Sequence, residues 1–178
     1  MKQLRAGVIG VGHLGQHHAR HYATLPGATL VGVCDASPTR AKLIADRHGV
    51  QFWTDLDDLL KQVDIVSVAA PTSAHFSATK ACLEAGKHVL VEKPMADTAA
   101  DCEAMLAKSR ETGLKLGVNH SDLFDPALMR ALDAAKNGDI GEVVSVDIVR
   151  NSEYPPYAGG PLPGMVTQGS YPFRDLGV

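Results

Sequence analysis

The sequence has few cysteines, little net charge and no long apolar run. Its three cysteines, at Cys34, Cys82 and Cys102, have no metal-ligand spacing, and their odd number suits a reducing compartment, so we expect a cytoplasmic protein. A net charge of −3 is too small to indicate a nucleic acid or an anionic membrane as partner. No uninterrupted apolar stretch approaches the roughly 18 residues that span a bilayer, so we expect no membrane association.

A cleaved signal segment is also not expected, because Met1–Arg5 lead directly into an apolar strand. The 178 residues suffice for one domain plus part of another. Hydrophobic residues make up 45% and charged residues 21%, which is ordinary for a globular protein.

Three glycines follow the first apolar segment closely. Residues 6–9 predict a buried parallel strand, and the composition from residue 14 to 23 predicts a helix. The turn between them reads Gly10-Val11-Gly12-His13-Leu14-Gly15. Gly10 permits the tight turn, Gly12 lets a pyrophosphate approach the backbone, and Gly15 lets the helix pack closely on the strand. The free N–H groups at the helix start then face the phosphates.

An acidic residue follows at the spacing that a dinucleotide site requires. Asp35 ends a second apolar run, residues 28–34, and lies 20 residues after Gly15. Such an acid accepts hydrogen bonds from the adenosine ribose and repels a 2′-phosphate, which favours NAD over NADP. Arg40 could soften this preference by pairing with that phosphate. The alternative is a strand, turn and helix without a ligand.

Strands and helices alternate through the first two thirds of the chain. Further strands are predicted at residues 50–53, 64–70, 87–91 and 115–118, and helices at 38–46, 55–60, 73–85 and 98–112. Short connections between them indicate a doubly wound parallel sheet, an α/β Rossmann domain over residues 1–120. Ligands bind outside the carboxyl ends of the strands in such sheets.

The pattern changes after residue 120. Asp125 and Pro126 begin a helix that is predicted to reach residue 136, and residues 143–149 alternate like a half-buried strand. One helix and one strand do not form an independent core. We therefore expect residues 121–178 to be the beginning of an α+β second domain, truncated at Val178.

Lys93 is the strongest catalytic candidate. It lies between Glu92 and Pro94 at the end of a predicted buried strand, and proline restricts the residue before it to extended geometry. A lysine there can hydrogen-bond a substrate hydroxyl or help move its proton. The alternative is an exposed loop lysine paired with Glu92.

Four histidines lie on or next to the first helix. His13, His17 and His21 recur every four residues, with His18 beside them, and such spacing can bind zinc. No nearby cysteine or carboxylate completes a site, so we interpret these histidines as polar positions bordering the cofactor cleft and predict no metal site.

The order of these motifs resembles the glucose-fructose oxidoreductase / inositol dehydrogenase / rhizopine-catabolism family of nicotinamide-dependent oxidoreductases. The resemblance runs through the glycine turn, Cys34-Asp35, Ala70-Pro71-Thr72 with His75, Glu92-Lys93-Pro94, and Gly117-Val118-Asn119-His120. It implies that the glycines hold the pyrophosphate, Asp35 the adenosine ribose and Glu92 the nicotinamide ribose, with Lys93 catalytic. On this resemblance, the candidate cofactor-binding residues are Gly10, Val11, Gly12, His13, Leu14, Gly15, Asp35, Arg40, Ala70, Pro71, Thr72, His75, Glu92, Lys93, Pro94, Asn119 and His120.

The family usually adds a second, mostly antiparallel sheet domain that carries Asp-x-x-x-His for the substrate. Asp175 is the candidate for that aspartate and the second catalytic candidate, and the histidine would come directly after Val178. The residues before Asp175 depart from the family's glycine-rich run. His120 is either a contact to substrate or nicotinamide or a structural histidine.

The function predicted from the sequence is an NAD-dependent oxidoreductase. It moves a hydride between nicotinamide and a hydroxyl carbon of a sugar, cyclitol or related polyol, and we expect a homo-oligomer. A nucleotide-binding module or sensor without turnover is the first alternative. A methyltransferase is the second, and Glu92-Lys93-Pro94 argues against it.

Overall fold

A computed structural model describes residues 3–147 and residue 149 of the chain. Within these residues the elements are β1 Leu4–Ile9, α1 Gly15–Thr24, β2 Ala28–Cys34, α2 Pro38–His48, β3 Gln51–Trp53, α3 Leu56–Leu60, β4 Ile65–Val68, α4 Thr72–Glu84, β5 His88–Glu92, α5 Ala99–Thr112, β6 Leu116–Asn119, a 3₁₀ helix Ser121–Phe124 and α6 Pro126–Asn137. No helix among the described residues combines the length and the apolar composition that crossing a membrane requires.

The strands form one parallel sheet in the order β3-β2-β1-β4-β5-β6. The order reverses between β1 and β4, because β1 connects to β2 on one side of this point and β4 connects to β5 on the other. Ile9 at the end of β1 lies opposite Cys34 of β2 and Val68 of β4. The ends of these strands therefore meet at the switch point of the sheet, and the predicted doubly wound Rossmann fold is confirmed.

Capping residues define several of the helix ends. Ser37 caps α2 by accepting the Arg40 N–H, and Thr98 caps α5 by accepting the Asp101 N–H. Gly49 ends α2 with a φ of +65°, a left-handed conformation that glycine adopts without steric cost. Most predicted boundaries differ from the observed ones by one or two residues.

The core lies on both faces of the sheet. Val8 and Ile9 are consecutive in β1 but belong to two different buried clusters, and Val33 and Cys34 of β2 divide in the same way. Because successive side chains of a strand point to opposite faces, the clusters lie on the two sides of the sheet. The strands are therefore buried from both sides, which leaves the carboxyl edge as the place for polar chemistry.

The chain divides into two compact units, residues 1–119 and residues 120–178. In the described part of the second unit, α6 begins as predicted, with the Asp125 carboxylate accepting the Ala127 and Leu128 N–H groups. The roles predicted for the two domains stay predictions.

The strand predicted at residues 143–149 is wrong for the described part of that segment. Residues 143–147 and 149 form no strand, and Val144 is 90% exposed instead of half-buried. A strand requires a neighbour for its N–H and C=O groups, and none of the described residues pairs with this segment. Alternation in the sequence shows which face a strand would bury, but it does not supply the partner.

Candidate functional site

The glycine turn after β1 is closely packed at both ends and open in the middle. Gly10 has a φ of +77°, and a Cβ there would lie 2.6 Å from the backbone of Ala70. A Cβ on Gly15 would overlap the Gly10 carbonyl oxygen, whereas one on Gly12 would meet no atom within 4 Å. The backbone at Gly12 is therefore open to a ligand, as a pyrophosphate site requires.

Helix α1 begins at this turn without a side-chain cap. Leu14 occupies the N-cap position and its side chain makes no capping hydrogen bond. The exposed ring of His13 lies edge-on to that of His17, with centroids 6.1 Å apart. An uncapped helix start offers backbone N–H groups and the positive end of the helix dipole to an anion.

The carboxylate of Asp35 connects the turn to the end of β2. Its Oδ2 accepts the Val11 N–H at 2.9 Å, and its Oδ1 accepts the Ser37 N–H at 2.8 Å. Arg40 donates to both oxygens, from Nε at 2.9 Å and from a terminal nitrogen at 2.8 Å. Four donors thus fill the acceptor positions of one carboxylate.

Burial and hydrogen bonding act on Asp35 in opposite directions. Its side chain is only 4% exposed, and burial alone would raise the pKa of the carboxyl. The hydrogen bonds from Arg40, Ser37 and Val11 outweigh burial and hold the pKa below its usual value. The group is therefore ionised at neutral pH. The Arg40 side chain is 51% exposed, so it can leave the carboxylate for water.

His75 bridges two loops at the carboxyl edge of the sheet. It is 1% exposed, with Nε2 2.8 Å from the Ala70 carbonyl oxygen and Nδ1 2.9 Å from that of Pro94. Pro71 is the N-cap residue of α4, and the Lys93–Pro94 peptide bond is cis. These contacts bring together two sequence motifs, 70–75 and 92–94, that lie almost 20 residues apart.

A second buried carboxylate, that of Glu92, ends strand β5. Its Oε1 accepts hydrogen bonds from Asn119 Nδ2 at 2.6 Å and His18 Nε2 at 2.9 Å, and its Oε2 accepts the Lys93 N–H at 3.2 Å. Burial alone would raise the pKa of Glu92, but the hydrogen bonds from His18 and Asn119 outweigh it and hold the pKa below its usual value. Lys93 itself is half-buried.

Sequence reasoning missed the hydrogen-bonded chain behind Glu92. His18 is more than a polar position at the border of the cleft, because it belongs to a hydrogen-bonded chain of side chains. The Ser67 hydroxyl oxygen lies 3.1 Å from His18 Nδ1, and the Tyr22 hydroxyl oxygen lies 3.0 Å from that of Ser67. One feature of the sequence indicates these hydrogen bonds. Ser67 is a lone hydroxyl in an otherwise apolar run, and a buried hydroxyl needs a partner.

The remaining candidate residues are His120, Asp175 and the cysteines. His120 is exposed and begins the second unit, and Asp175 lies outside the described residues. In the part of the chain that the structure describes, no group of three or more His, Cys, Asp or Glu side chains could hold a metal ion. Burial raises the pKa of Cys34 to about 11 and that of Cys82 to about 12, so neither thiol is a nucleophile at neutral pH.

An open glycine turn at the switch point of a parallel sheet, facing a strand-end acid, defines a dinucleotide-binding Rossmann domain. Comparison with known proteins agrees. Residues 4–120 match the model of the "Oxidoreductase family, NAD-binding Rossmann fold". The chain belongs to this family, which is the one that its motifs resemble.

Several members of the family are similar to this chain over part of their length. UDP-N-acetylglucosamine 3-dehydrogenase of Acidithiobacillus ferrooxidans is 38% identical over 128 residues, which cover 72% of this chain and 40% of that protein. Inositol 2-dehydrogenase 1 of Saccharopolyspora erythraea is 40% identical over 158 residues, 84% of this chain and 46% of that protein. The chain thus matches less than half the length of these relatives.

A solved structure shows the same fold with ligands. Scyllo-inositol dehydrogenase from Lactobacillus casei, with bound NAD(H) and scyllo-inositol, superposes with a TM-score of 0.75 at 27% identity. The superposition covers 79% of this chain and 43% of that one.

Proposed function

We propose that the first unit binds NAD and that the whole protein moves a hydride between nicotinamide and a hydroxyl carbon of a sugar, cyclitol or related polyol. The open backbone at Gly12, facing the ionised Asp35, is the observation that carries this proposal. The substrate class comes from the relatives, which are named for inositol and for a nucleotide sugar.

The cofactor would lie along the carboxyl edge of the sheet. The turn at residues 10–15 and the start of α1 would hold the pyrophosphate, and Asp35 the adenosine ribose. The motif residues Ala70, Pro71, Thr72, Pro94 and Asn119 would line the cleft, and the buried His75 would hold the two loops together behind it. The bound nicotinamide supplies the hydride chemistry, and the protein orients it.

We propose a preference for NAD over NADP. An ionised Asp35 accepts a free ribose hydroxyl but repels a 2′-phosphate at short distance. Arg40 counteracts this repulsion because its guanidinium already neutralises Asp35 and could pair with a phosphate.

We propose catalytic roles for Lys93 and Asp175. Lys93 would hydrogen-bond the substrate hydroxyl and help move its proton, and its place after β5 at the carboxyl edge supports this role. Asp175 would assist in the second domain, and His120 would contact substrate or nicotinamide. We also propose a homo-oligomer in the cytoplasm, where the three free cysteines stay reduced.

A cofactor-binding chain without turnover is the second candidate. The matched region spans 40–46% of the relatives' own length, so binding and turnover are separate proposals for these 178 residues. We expect binding without turnover from this chain alone, and strong turnover of any polyol would contradict that expectation. A methyltransferase does not fit a chain that belongs to an oxidoreductase family.

Calorimetric titration of the 178-residue chain with NADH tests the proposal. Gly12→Val should abolish NADH binding without loss of stability, because the new side chain enters open space that the pyrophosphate needs. Gly117→Ala is the matched control, since a Cβ there meets only an ordinary contact at 3.5 Å. Absence of NADH binding to the unmodified chain, or equal binding to Gly12→Val, would refute the proposed site.

A further inference from the structure

We propose that His18 is a positioning residue of the cofactor site. It holds the Glu92 carboxylate, and through it the backbone of Lys93, at the nicotinamide end of the cleft without touching the cofactor. This inference rests on the proposed NAD site. It adds a residue of α1 to the nicotinamide end, which the glycine turn and Asp35 do not reach.

Two side chains from other elements hold the Glu92 carboxylate. The carboxylate lies between two donors from distant elements, His18 Nε2 of α1 and Asn119 Nδ2 of β6, both on the same oxygen. The side chains of His18 and Glu92 are 12% and 7% exposed. Water therefore competes little for this hydrogen bond, which makes it stronger than a surface contact.

The charge of Glu92 determines the direction of these hydrogen bonds. An ionised Glu92 only accepts, so His18 Nε2 must carry a hydrogen. In a neutral ring Nδ1 then accepts the Ser67 hydroxyl, and Ser67 accepts that of Tyr22. If the ring gains a second proton, the two hydroxyls reverse, while the bond from Nε2 to Glu92 remains. His18 Nε2 therefore donates to Glu92 in either state of the ring.

The two oxygens of the Glu92 carboxylate accept different numbers of hydrogen bonds. Oε1 accepts two hydrogen bonds, whereas Oε2 accepts one, from the Lys93 N–H. A carboxylate offers about four acceptor positions, so Oε2 can take one further donor. A ribose hydroxyl is such a donor. By fixing Oε1, His18 and Asn119 determine where Oε2 points.

Two ligands separate this role from a general structural one. NADH occupies both ends of the cleft, whereas ADP lacks both nicotinamide and the ribose attached to it and probes the adenine end alone. We expect His18→Leu to weaken NADH binding about tenfold and to change ADP binding less than about twofold. His18→Gln carries an amide N–H near the Nε2 position and should restore NADH binding to within about threefold.

Controls come from the same helix. His21→Leu changes an exposed histidine in the last turn of α1, at the other end of the helix from the glycine turn, and should bind both ligands like the unmodified chain. If His18→Leu does not fold, His18→Asn replaces it, because the shorter amide does not reach Glu92. Carbon-13 NMR supplies a spectroscopic signature: the pKa of Glu92 should rise in His18→Leu or His18→Asn and return in His18→Gln.

Three results would overturn the inference: NADH binding unchanged in His18→Leu, NADH and ADP weakened equally, or a Glu92 titration that does not respond. Failure of the unmodified chain to bind NADH would instead refute the proposed function, and this inference with it.

Discussion

Asp35 and Glu92 are two buried acids at strand ends whose surroundings differ. Both have a lowered pKa because hydrogen bonds outweigh burial. Asp35 takes three of its four hydrogen bonds from residues two and five positions away, and its charged partner Arg40 is half exposed. Glu92 is held by His18 and Asn119, 74 and 27 positions away and largely enclosed.

The comparison separates an adaptable acid from a fixed one. The environment of Asp35 forms with its own loop and can change when Arg40 swings into water. The environment of Glu92 exists only once α1, β5 and β6 are assembled. We expect the adenine end of the site to adjust to its ligand and the nicotinamide end to be set by the fold.

The largest expected effect is on stability. Glu92→Ala leaves two enclosed N–H donors of His18 and Asn119 without an acceptor, and should cost about 3 kcal/mol of unfolding free energy. Asp35→Ala should cost less, about 1–2 kcal/mol, because Arg40 regains water. Urea unfolding measures both, with the exposed Asp58→Ala as a control that should behave like the unmodified chain. Equal losses in the two variants would contradict the distinction.

The sequence predicted much of the fold because its signals are local. Strand β2 occupies residues 28–34 as predicted, and α5 begins one residue after its predicted start and ends at Thr112 as predicted. Asp35 was predicted as a site residue because its spacing from Gly15 reflects one strand, turn and helix.

The parts that failed depend on distant residues. The partnership of His18 with Glu92 joins residues 74 positions apart, and helical periodicity does not show which buried acid a histidine meets. Because four histidines fall within nine residues, the sequence also did not indicate that His18 is the one that is largely enclosed. The predicted strand at residues 143–149 failed in its described part for the same reason, since its pattern does not show whether a neighbouring strand is present.

The next expected effect concerns cofactor choice. Asp35→Ala removes the acceptor for the adenosine ribose, and we expect NAD binding to weaken about tenfold. NADP binding should stay level or improve, because the repulsion of the 2′-phosphate is gone. Titration of both dinucleotides against the variant and the unmodified chain measures the ratio. If the unmodified chain binds NADP as well as NAD, Asp35 does not discriminate.

Acid pH should reduce the contribution of both carboxylates to stability. A carboxyl whose pKa is lowered by folding stabilises the native state above its unfolded pKa, and this contribution is lost as pH falls through the folded pKa. Stability should therefore decline below about pH 4, and the decline should be shallower in Glu92→Gln and in Asp35→Asn. Urea midpoints between about pH 3 and pH 6 give the slope. A slope unchanged in both variants would show that other titratable groups determine the pH dependence of stability.

The smallest expected effect separates the two acids most directly, because it changes a partner that only Asp35 has. Arg40→Gln removes two hydrogen bonds and the neutralising charge from Asp35, while the Val11 and Ser37 N–H groups remain. The released acceptor positions should raise NAD affinity about two- to threefold, and NADP affinity should fall because the unneutralised carboxylate repels its phosphate. Arg47→Gln, on the same helix, is the matched control and should leave both affinities unchanged. Weaker NAD binding in Arg40→Gln would mean that Arg40 holds Asp35 in its binding orientation, and the adenine end would then be as fixed as the nicotinamide end.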